Sequence, residues 1–139
     1  MTTAPLLLDT CAILWSATGV EAAPRLRAQL RAAHEQSLPL WMSSISAWEI
    51  GILASSNRIS LARPTLQWFQ DVIFRAGAKL ADLNAKVLVA STELPGELHR
   101  DPADRIIVAT AREYGLRVVT RDRKILDYAR HGHVMAMEC

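Results

Sequence analysis

The sequence predicts an α/β fold in which helices cover both faces of a central, mainly parallel sheet, forming a three-layer α/β/α sandwich. Short apolar runs typical of buried strands alternate along the chain with longer segments that have helical spacing. No internal repeat, low-complexity tract or linker interrupts this alternation. We therefore expect a single domain over residues 1–139.

Composition narrows the class of protein. Half of the residues are hydrophobic and 22% are charged, which is typical of a globular chain. No apolar run is long enough to span a bilayer, and the first residues lack the basic segment of a signal peptide. The two cysteines form neither a disulfide framework nor a metal-ligand pattern. We expect Cys11 to be a small buried side chain, Cys139 a free thiol in the tail, and the protein to be cytoplasmic.

The formal net charge of +2 is too small to create a general field that attracts nucleic acid. Most of the 16 basic residues are arginine, whose planar guanidinium matches phosphate geometry well. A local cluster of Arg117, Arg121, Arg123 and Lys124 surrounds Asp122. This cluster is either a set of phosphate contacts or a solvated rim, and the sequence favours neither.

The first half of the chain is predicted to begin with a buried strand that Asp9 ends. Leu26 and Leu30 lie four residues apart, which favours a helix with one buried face. In the helix after the second strand, we expect Trp48 and Ile52 to face the core. The predicted segments are a strand over 5–8, a short helix that ends at Thr18 and Gly19, a helix over 21–36, a strand over 38–42 and a helix to about Ser55.

The second half continues the alternation. Pro64 suits the start of a helix, Gly77 its end, and Asn84 the cap of the next helix. Ile107, Ala111 and Tyr114 recur at helical spacing and are expected on one buried face. The predicted segments are a helix over 64–76, an extended piece over 79–83, a helix over 84–91, a loop over 92–98, a helix over 102–114, a strand that ends at Thr120, a helix over 124–129 and a strand over 134–137.

The stretch from His99 to Asp122 organises the chain. Asp101 can cap a helix, and Pro102 suits the first helical position because no donor is needed there. Asp104 then lies in the first turn, near the positive end of the helix dipole. Gly115 can end the helix with a positive φ, and Asp122 directly follows the next strand.

Four acidic residues are predicted to meet at one edge of the sheet. Asp9 follows the first strand, Glu49 lies early in the helix after the second, and Asp122 follows the strand that ends at Thr120. In a parallel sheet, strand ends and the following helix starts share one edge, where open α/β folds place their sites. Asp104 opens a helix after a loop, so the fold itself must bring it to that edge.

Each acid also has a purely structural explanation. Asp9 and Asp101 can be helix caps, and Asp122 can be an ordinary turn residue. Ser46 and Glu49 have the spacing of a capping box.

Carboxylates gathered in one crevice repel each other unless a cation binds there. Oxygen ligands suit Mg²⁺, for which Mn²⁺ can substitute, and no cysteine or histidine set suits zinc. Two such ions about 4 Å apart could activate water and hold the leaving oxygen in phosphodiester cleavage. The chain has no glycine-rich phosphate loop and no nucleophile elbow. Hydroxyls expected to support the ligands belong to Thr10, Ser44, Ser46 and Thr120.

Four motifs in chain order resemble those of PIN-domain ribonucleases, most closely the VapC toxins of bacterial toxin–antitoxin pairs. They are Leu7-Leu8-Asp9-Thr10-Cys11-Ala12, Ser46-Ala47-Trp48-Glu49-Ile50, His99-Arg100-Asp101-Pro102-Ala103-Asp104-Arg105 and Thr120-Arg121-Asp122.

The resemblance implies a PIN-like fold and a Mg²⁺ centre that cuts RNA. It also implies a homodimer and a cognate antitoxin protein that blocks the site. Carried onto this chain, the metal-binding and catalytic residues are Asp9, Glu49, Asp104 and Asp122, with Asp101 either a further ligand or only a helix cap. RNA phosphate contacts are expected from Arg100, Arg105, Arg121 and Arg123.

The sequence thus predicts a Mg²⁺-dependent endoribonuclease of the VapC type. The first alternative is a non-catalytic binding module of the same fold, in which the acids are caps or partner contacts. A second is an acidic phospho-receiver, which also gathers carboxylates and Mg²⁺ on a parallel sheet. That alternative requires a lysine after a late strand, where this chain has Thr120-Arg121-Asp122.

Overall fold

The computed structural model describes residues 4–18 and 24–139. Its centre is a five-stranded sheet in which every paired strand is parallel, with the order β3-β2-β1-β4-β5. The predicted mainly parallel sheet is therefore confirmed. The strands are β1 (Leu6–Leu8), β2 (Leu40–Ser43), β3 (Lys79–Ala81), β4 (Arg117–Thr120) and β5 (Met135–Glu138).

Seven helices accompany the sheet in the described ranges. Residues 19–23, which include the predicted stop at Gly19 and the predicted start of the second helix at Glu21, lie outside them. The helices are α1 (Thr10–Thr18), α2 (Pro24–Glu35), α3 (Ser44–Ser55), α4 (Thr65–Ala76), α5 (Ala85–Thr92), α6 (Pro102–Tyr114) and α7 (Arg123–Arg130).

The core is divided by the sheet into two clusters. Successive strand residues point to opposite faces, so Leu7 joins one cluster while Leu6 and Leu8 join the other. Val118 and Val119 of β4 separate in the same way. Apolar side chains therefore cover both faces of the sheet, which confirms the α/β/α sandwich.

Strand register aligns the carboxyl ends of the three central strands. Leu8, the last residue of β1, pairs with Met42 on one side and Val119 on the other. The backbone N–H of Asp9 then donates to the carbonyl of Val119 at 3.1 Å. The residues that follow β1, β2 and β4 therefore meet at one edge of the sheet.

The predicted helix ends are also found. The Asn84 side chain accepts from Val87 N at 2.9 Å, and the Asp101 side chain accepts from Asp104 N at 3.0 Å. Gly77 and Gly115 end α4 and α6 with φ values of 61° and 66°. Local signals therefore predicted these boundaries correctly.

Two predictions about buried helix faces are wrong. Trp48 is 56% exposed, because α3 instead buries Ile45, Ser46 and Ile50. Tyr114 is 47% exposed, and its hydroxyl accepts a hydrogen bond from the Asn84 amide. Ile52 is also exposed. The helical spacing is confirmed in both helices. In α6 the predicted face is buried at Ile107 and Ala111 and ends before Tyr114, whereas in α3 the buried face was assigned to the wrong side.

The prediction of a buried Cys11 is wrong, whereas Cys139 is a free thiol as predicted. Cys11 is exposed, since it follows the buried Thr10 on the outer side of α1. Cys139 is buried because its backbone N–H pairs with the carbonyl of Thr120, which fixes the chain end against β4. Among the described residues, no helix is both long and apolar enough to cross a membrane.

Candidate active site

The carboxyl edge of the sheet brings the four predicted acids into electrostatic contact. Asp104, in the first turn of α6, interacts with the charges of Asp122, Glu49 and Asp9. Burial, followed by the charges of the neighbouring acids with Asp101 foremost, raises the pKa of Asp104 to about 7. A carboxyl group that resists ionisation near neutral pH marks a site where negative charge is crowded.

Asp9 is both a helix cap and a member of this edge. Its Oδ1 accepts from the Ala12 N–H at 2.8 Å, and its Oδ2 accepts from the Thr120 hydroxyl at 2.5 Å. Burial raises the pKa of Asp9, while these two hydrogen bonds oppose the rise. The cap and the site explanations are thus compatible for this residue.

Glu49 lies in the second turn of α3 and has no capping-box role. The N-cap of α3 is Ser43, whose hydroxyl accepts from Ile45 N at 3.1 Å, so the capping-box alternative is wrong. Glu49 accepts a hydrogen bond from the Thr10 hydroxyl, which lies 2.9 Å from the hydroxyl of Ser46. Burial raises the pKa of Glu49, and the hydrogen bond from Thr10 opposes the rise. The pair of hydroxyls therefore orients Glu49 toward the edge.

Asp122 divides its two oxygens between fold and site. Oδ1 caps α7 by accepting from Lys124 N at 2.8 Å and Ile125 N at 3.1 Å. The Asp122 N–H donates to the Thr120 hydroxyl at 3.0 Å. Thr120 therefore links Asp9 to Asp122 and fixes their relative positions.

His99 is a site residue that the sequence did not identify. Its Nδ1 accepts from the backbone N–H of Asp101 at 3.2 Å, and its Nε2 lies 3.2 Å from Asp104 Oδ2 and 3.9 Å from Asp122 Oδ2. Because Nδ1 accepts, the neutral ring carries its proton on Nε2, which faces the two carboxylates. Nε2 is buried, and its contact with Asp104 is close in distance but not aligned as a hydrogen bond.

The donor set suits a divalent cation. A carboxylate oxygen of Asp104, one of Asp122 and a ring nitrogen of His99 lie within 4.8 Å of one another. Because Nε2 of the neutral His99 ring carries the proton, the two carboxylates are the candidate ligands and His99 lies beside them. Carboxylate oxygens are the preferred ligands of hard cations, and a bound cation would remove the repulsion that raises the pKa of Asp104. Asp101 is exposed at the same opening, where its Oδ1 is occupied by the cap of α6. The residues present therefore fit the expected ion.

Comparison with known proteins gives the family. The family model described as the PIN domain matches residues 6–131. The chain belongs to the PIN-domain family.

Relatives of this PIN domain include VapC proteins. The chain is 37% identical to Ribonuclease VapC22 of Mycobacterium tuberculosis over 120 residues, which are 86% of this chain and 88% of that protein. The predicted VapC resemblance is thereby confirmed.

Solved structures with the same fold include a toxin–antitoxin complex from Klebsiella pneumoniae, which matches with a TM-score of 0.56 and 19% identity and covers 86% of this chain and 88% of that chain. A VapBC2 complex from Rickettsia felis, bound to a DNA fragment from its promoter, matches with a TM-score of 0.68 and 17% identity, covering 96% of this chain and 98% of that chain. FitAcB from Neisseria gonorrhoeae matches with a TM-score of 0.59 and 20% identity, covering 95% of this chain and 96% of that chain.

The arginines expected to contact phosphate differ in their exposure and in their hydrogen-bond partners. The Arg105 guanidinium donates to the carbonyls of Ser91, Leu98 and His99, so it holds the loop before α6 and leaves the phosphate expectation without support. Arg100 is exposed and borders a groove beside the site.

Two further arginines lie near the chain end. Arg121 donates to the Cys139 carbonyl at 2.9 Å and stacks on Trp15 with 4.1 Å to the ring centroid. The Arg123 guanidinium lies 3.5 Å from the Glu138 carboxylate and forms an ion pair with it.

The hydroxyl of Ser44 was expected to support the acids. It instead donates to the Ala81 carbonyl at 3.1 Å.

Proposed function

We propose that this PIN-domain protein is a Mg²⁺-dependent endoribonuclease and the toxin of a toxin–antitoxin pair. The observation that carries the proposal is the convergence of Asp9, Glu49, Asp104 and Asp122 at one sheet edge, where burial raises the pKa of three of them. Such crowding costs stability without a cation, so its presence favours a metal site. The name of the M. tuberculosis relative supports ribonuclease activity.

Asp104 and Asp122 are the residues best placed to hold the ion, with Asp9 and Glu49 beside them. The hydroxyls of Thr10, Ser46 and Thr120 orient the inner carboxylates through the contacts described above. Oxygen donors favour Mg²⁺, with Mn²⁺ able to substitute. When bound, such a cation makes water more acidic and stabilises charge on the leaving oxygen of a phosphodiester.

We also propose a cognate antitoxin and a homodimer as partners. The structural relatives in toxin–antitoxin assemblies support the first of these. Phe74 is 85% exposed and Leu66 is 65% exposed on α4, and large exposed apolar side chains favour a protein partner.

The test is cleavage of RNA by purified protein with and without Mg²⁺. We expect Mg²⁺-dependent cleavage that Asp104→Asn or Asp9→Asn abolishes while the circular dichroism spectrum is unchanged. Asp71→Asn is the matched control, because Asp71 pairs with Arg63 on the surface and touches none of the four acids. Equal cleavage by all variants would identify a contaminant and contradict the proposal.

A non-catalytic binding module is the second candidate, since three of the acids at this edge also cap helices. Calorimetric titration with Mg²⁺ separates the two functions. The enzyme must take up Mg²⁺ at the acidic edge, whereas a module whose acids are only caps or partner contacts need not, so the absence of uptake would favour the binding module.

A further inference from the structure

A polar groove adjoins the acidic opening and shares two residues with it. We define the flanking groove as the concavity of about 1370 Å³ between residues 91–100, the start of α6 and the segment 124–133. The acidic opening contains Asp101, Asp104 and Asp122. His99 and Lys124 line both, so the groove leads directly into the site.

The junction between groove and opening carries two unengaged cations. Arg100 and Lys124 are exposed, and within the described residues neither side chain has a hydrogen bond or an ion pair. Other cations nearby are engaged: Arg105 holds three carbonyls and Arg130 pairs with Asp127. Positive charge is therefore available where a polyanion would enter or leave the acidic opening.

We propose that the flanking groove binds the single-stranded RNA segment next to the cleaved phosphodiester, with backbone phosphates at Arg100 and Lys124. This inference rests on the proposed ribonuclease function. A polymer whose phosphate is cut at the acidic opening must continue on both sides of it, and its next phosphates meet carboxylates unless cations lie beside them. The groove supplies those cations on one side.

The depth of the site favours a single strand. Asp9 is 6% exposed and Asp104 is half-buried, so a phosphate must enter a recess to reach them. A flexible single strand can bend into such a recess more readily than a paired duplex.

An aromatic pair completes the groove. The His133 ring packs on Tyr128 with 4.7 Å between centroids, and the Tyr128 hydroxyl donates to the Pro95 carbonyl. The loop approaches His133 so closely that a Cβ on Gly96 would lie 2.6 Å from Nε2. His133 is thus held in place as a surface on which an unpaired base can stack.

Two acids also line the groove and bear on its charge. Asp127 is paired with Arg130, so its charge is balanced locally. Among the described residues that line the groove, Glu97 is the one remaining carboxylate. The unengaged cations that line it are two, Arg100 and Lys124. Within the groove, the two unengaged cations therefore outnumber the one unpaired carboxylate, and the net charge offered to an RNA strand there is positive.

The test measures RNA binding by the double variant Arg100→Ala with Lys124→Ala, made in Asp104→Asn protein so that no RNA is cut. The probe is a short fluorescein-labelled single-stranded RNA, followed by fluorescence anisotropy at several salt concentrations. We expect about tenfold weaker binding and a salt slope lower by roughly 1.4, or about 0.7 for each phosphate that the variant no longer neutralises. The matched control is Arg58→Ala with Arg75→Ala, which removes the same charge from exposed positions near the C-terminal ends of α3 and α4, outside the groove.

Three results would overturn the inference. The first is binding by the double variant equal to that of the control, and the second is a salt slope that does not change. The third is a duplex of the same sequence that competes as well as the single strand, which contradicts the assignment to single-stranded RNA.

Failure of the ribonuclease proposal can be distinguished from failure of the groove proposal. If wild-type protein cleaves RNA and Arg100→Ala with Lys124→Ala, now made without the Asp104 substitution, retains the wild-type KM, the groove assignment is wrong and the function stands. If wild-type protein with Mg²⁺ cleaves no RNA, the proposed ribonuclease function is wrong. The anisotropy measurement still tests whether the groove binds RNA.

Discussion

The hydroxyl of Thr120 donates a 2.5 Å hydrogen bond to Oδ2 of Asp9. The same hydroxyl accepts from the Asp122 N–H at 3.0 Å, so one buried oxygen fixes two predicted metal ligands. Removing it leaves a buried carboxylate oxygen without its donor, at a cost of about 1–3 kcal/mol.

Thr120→Val is therefore expected to lower both the free energy of unfolding, by about 1–3 kcal/mol, and the affinity for Mg²⁺. Urea denaturation and calorimetric titration measure the two effects. Thr110→Val is the matched control: Thr110 is also buried, but its hydroxyl donates within α6 to the Ile106 carbonyl. Loss of Mg²⁺ affinity in the control as well would show that the effect is general destabilisation.

The raised pKa of Asp104 predicts that the stability of the metal-free protein depends on pH. Its pKa rises from 3.8 in the unfolded reference to about 7 in the folded protein, so the folded state binds more protons between these values. Stability without a cation should therefore decrease as pH rises from about 4 to 7. Thermal unfolding across this range measures the decrease, and Asp104→Asn should reduce it.

Mg²⁺ should reverse this trend. A cation binds the ionised form of Asp104, so its stabilising effect should increase as pH rises through the pKa of about 7. An equal shift in melting temperature well below and well above that pKa would contradict the assignment of Asp104 as a ligand.

His99 is expected to orient Asp104 through Nε2. His99→Gln can place a donor near the position of Nε2, whereas His99→Asn can replace only the acceptor toward the Asp101 N–H. We expect His99→Asn to weaken Mg²⁺ binding by about tenfold or more, and His99→Gln to weaken it less. Calorimetric titration distinguishes them, and equal affinities in both variants would show that the Asp104 contact has no orienting role.

Asp101 can be assigned by comparing two substitutions. Asp101→Asn keeps the cap on α6, while Asp101→Ala removes it and should cost about 0.5–2 kcal/mol in the free energy of unfolding. If Asp101 is only a cap, Asp101→Asn should cleave RNA at the wild-type rate. A large fall in kcat for this variant, with normal stability, would instead make Asp101 part of the metal site.

Much of this architecture could be predicted because its signals are local. Asp101, Pro102 and Gly115 mark the ends of α6 within a few residues, and the strand-to-helix alternation specifies a parallel sheet. A parallel sheet then places Asp9 and Asp122 at one edge whatever the details of the loops.

The rest depends on contacts distant in the sequence. His99 becomes a site residue only because the loop before α6, held by Arg105, turns its ring toward Asp104. Glu49 has capping-box spacing, and only the position of Ser43 at the end of β2 shows that the helix begins earlier. The side of α3 that carries Trp48 could not be chosen from periodicity, because α3 is apolar around most of its circumference.

Three acids at this edge, Asp9, Asp101 and Asp122, each hold the first turn of a different helix through one carboxylate oxygen. Under the proposed function, chemistry and architecture are therefore inherited together at these positions. A lineage that abandons the reaction can replace these acids by asparagine without fraying its helices, but drift to alanine or valine erodes the scaffold as well. Inactive descendants that still fold should consequently carry amides at these positions more often than aliphatic side chains.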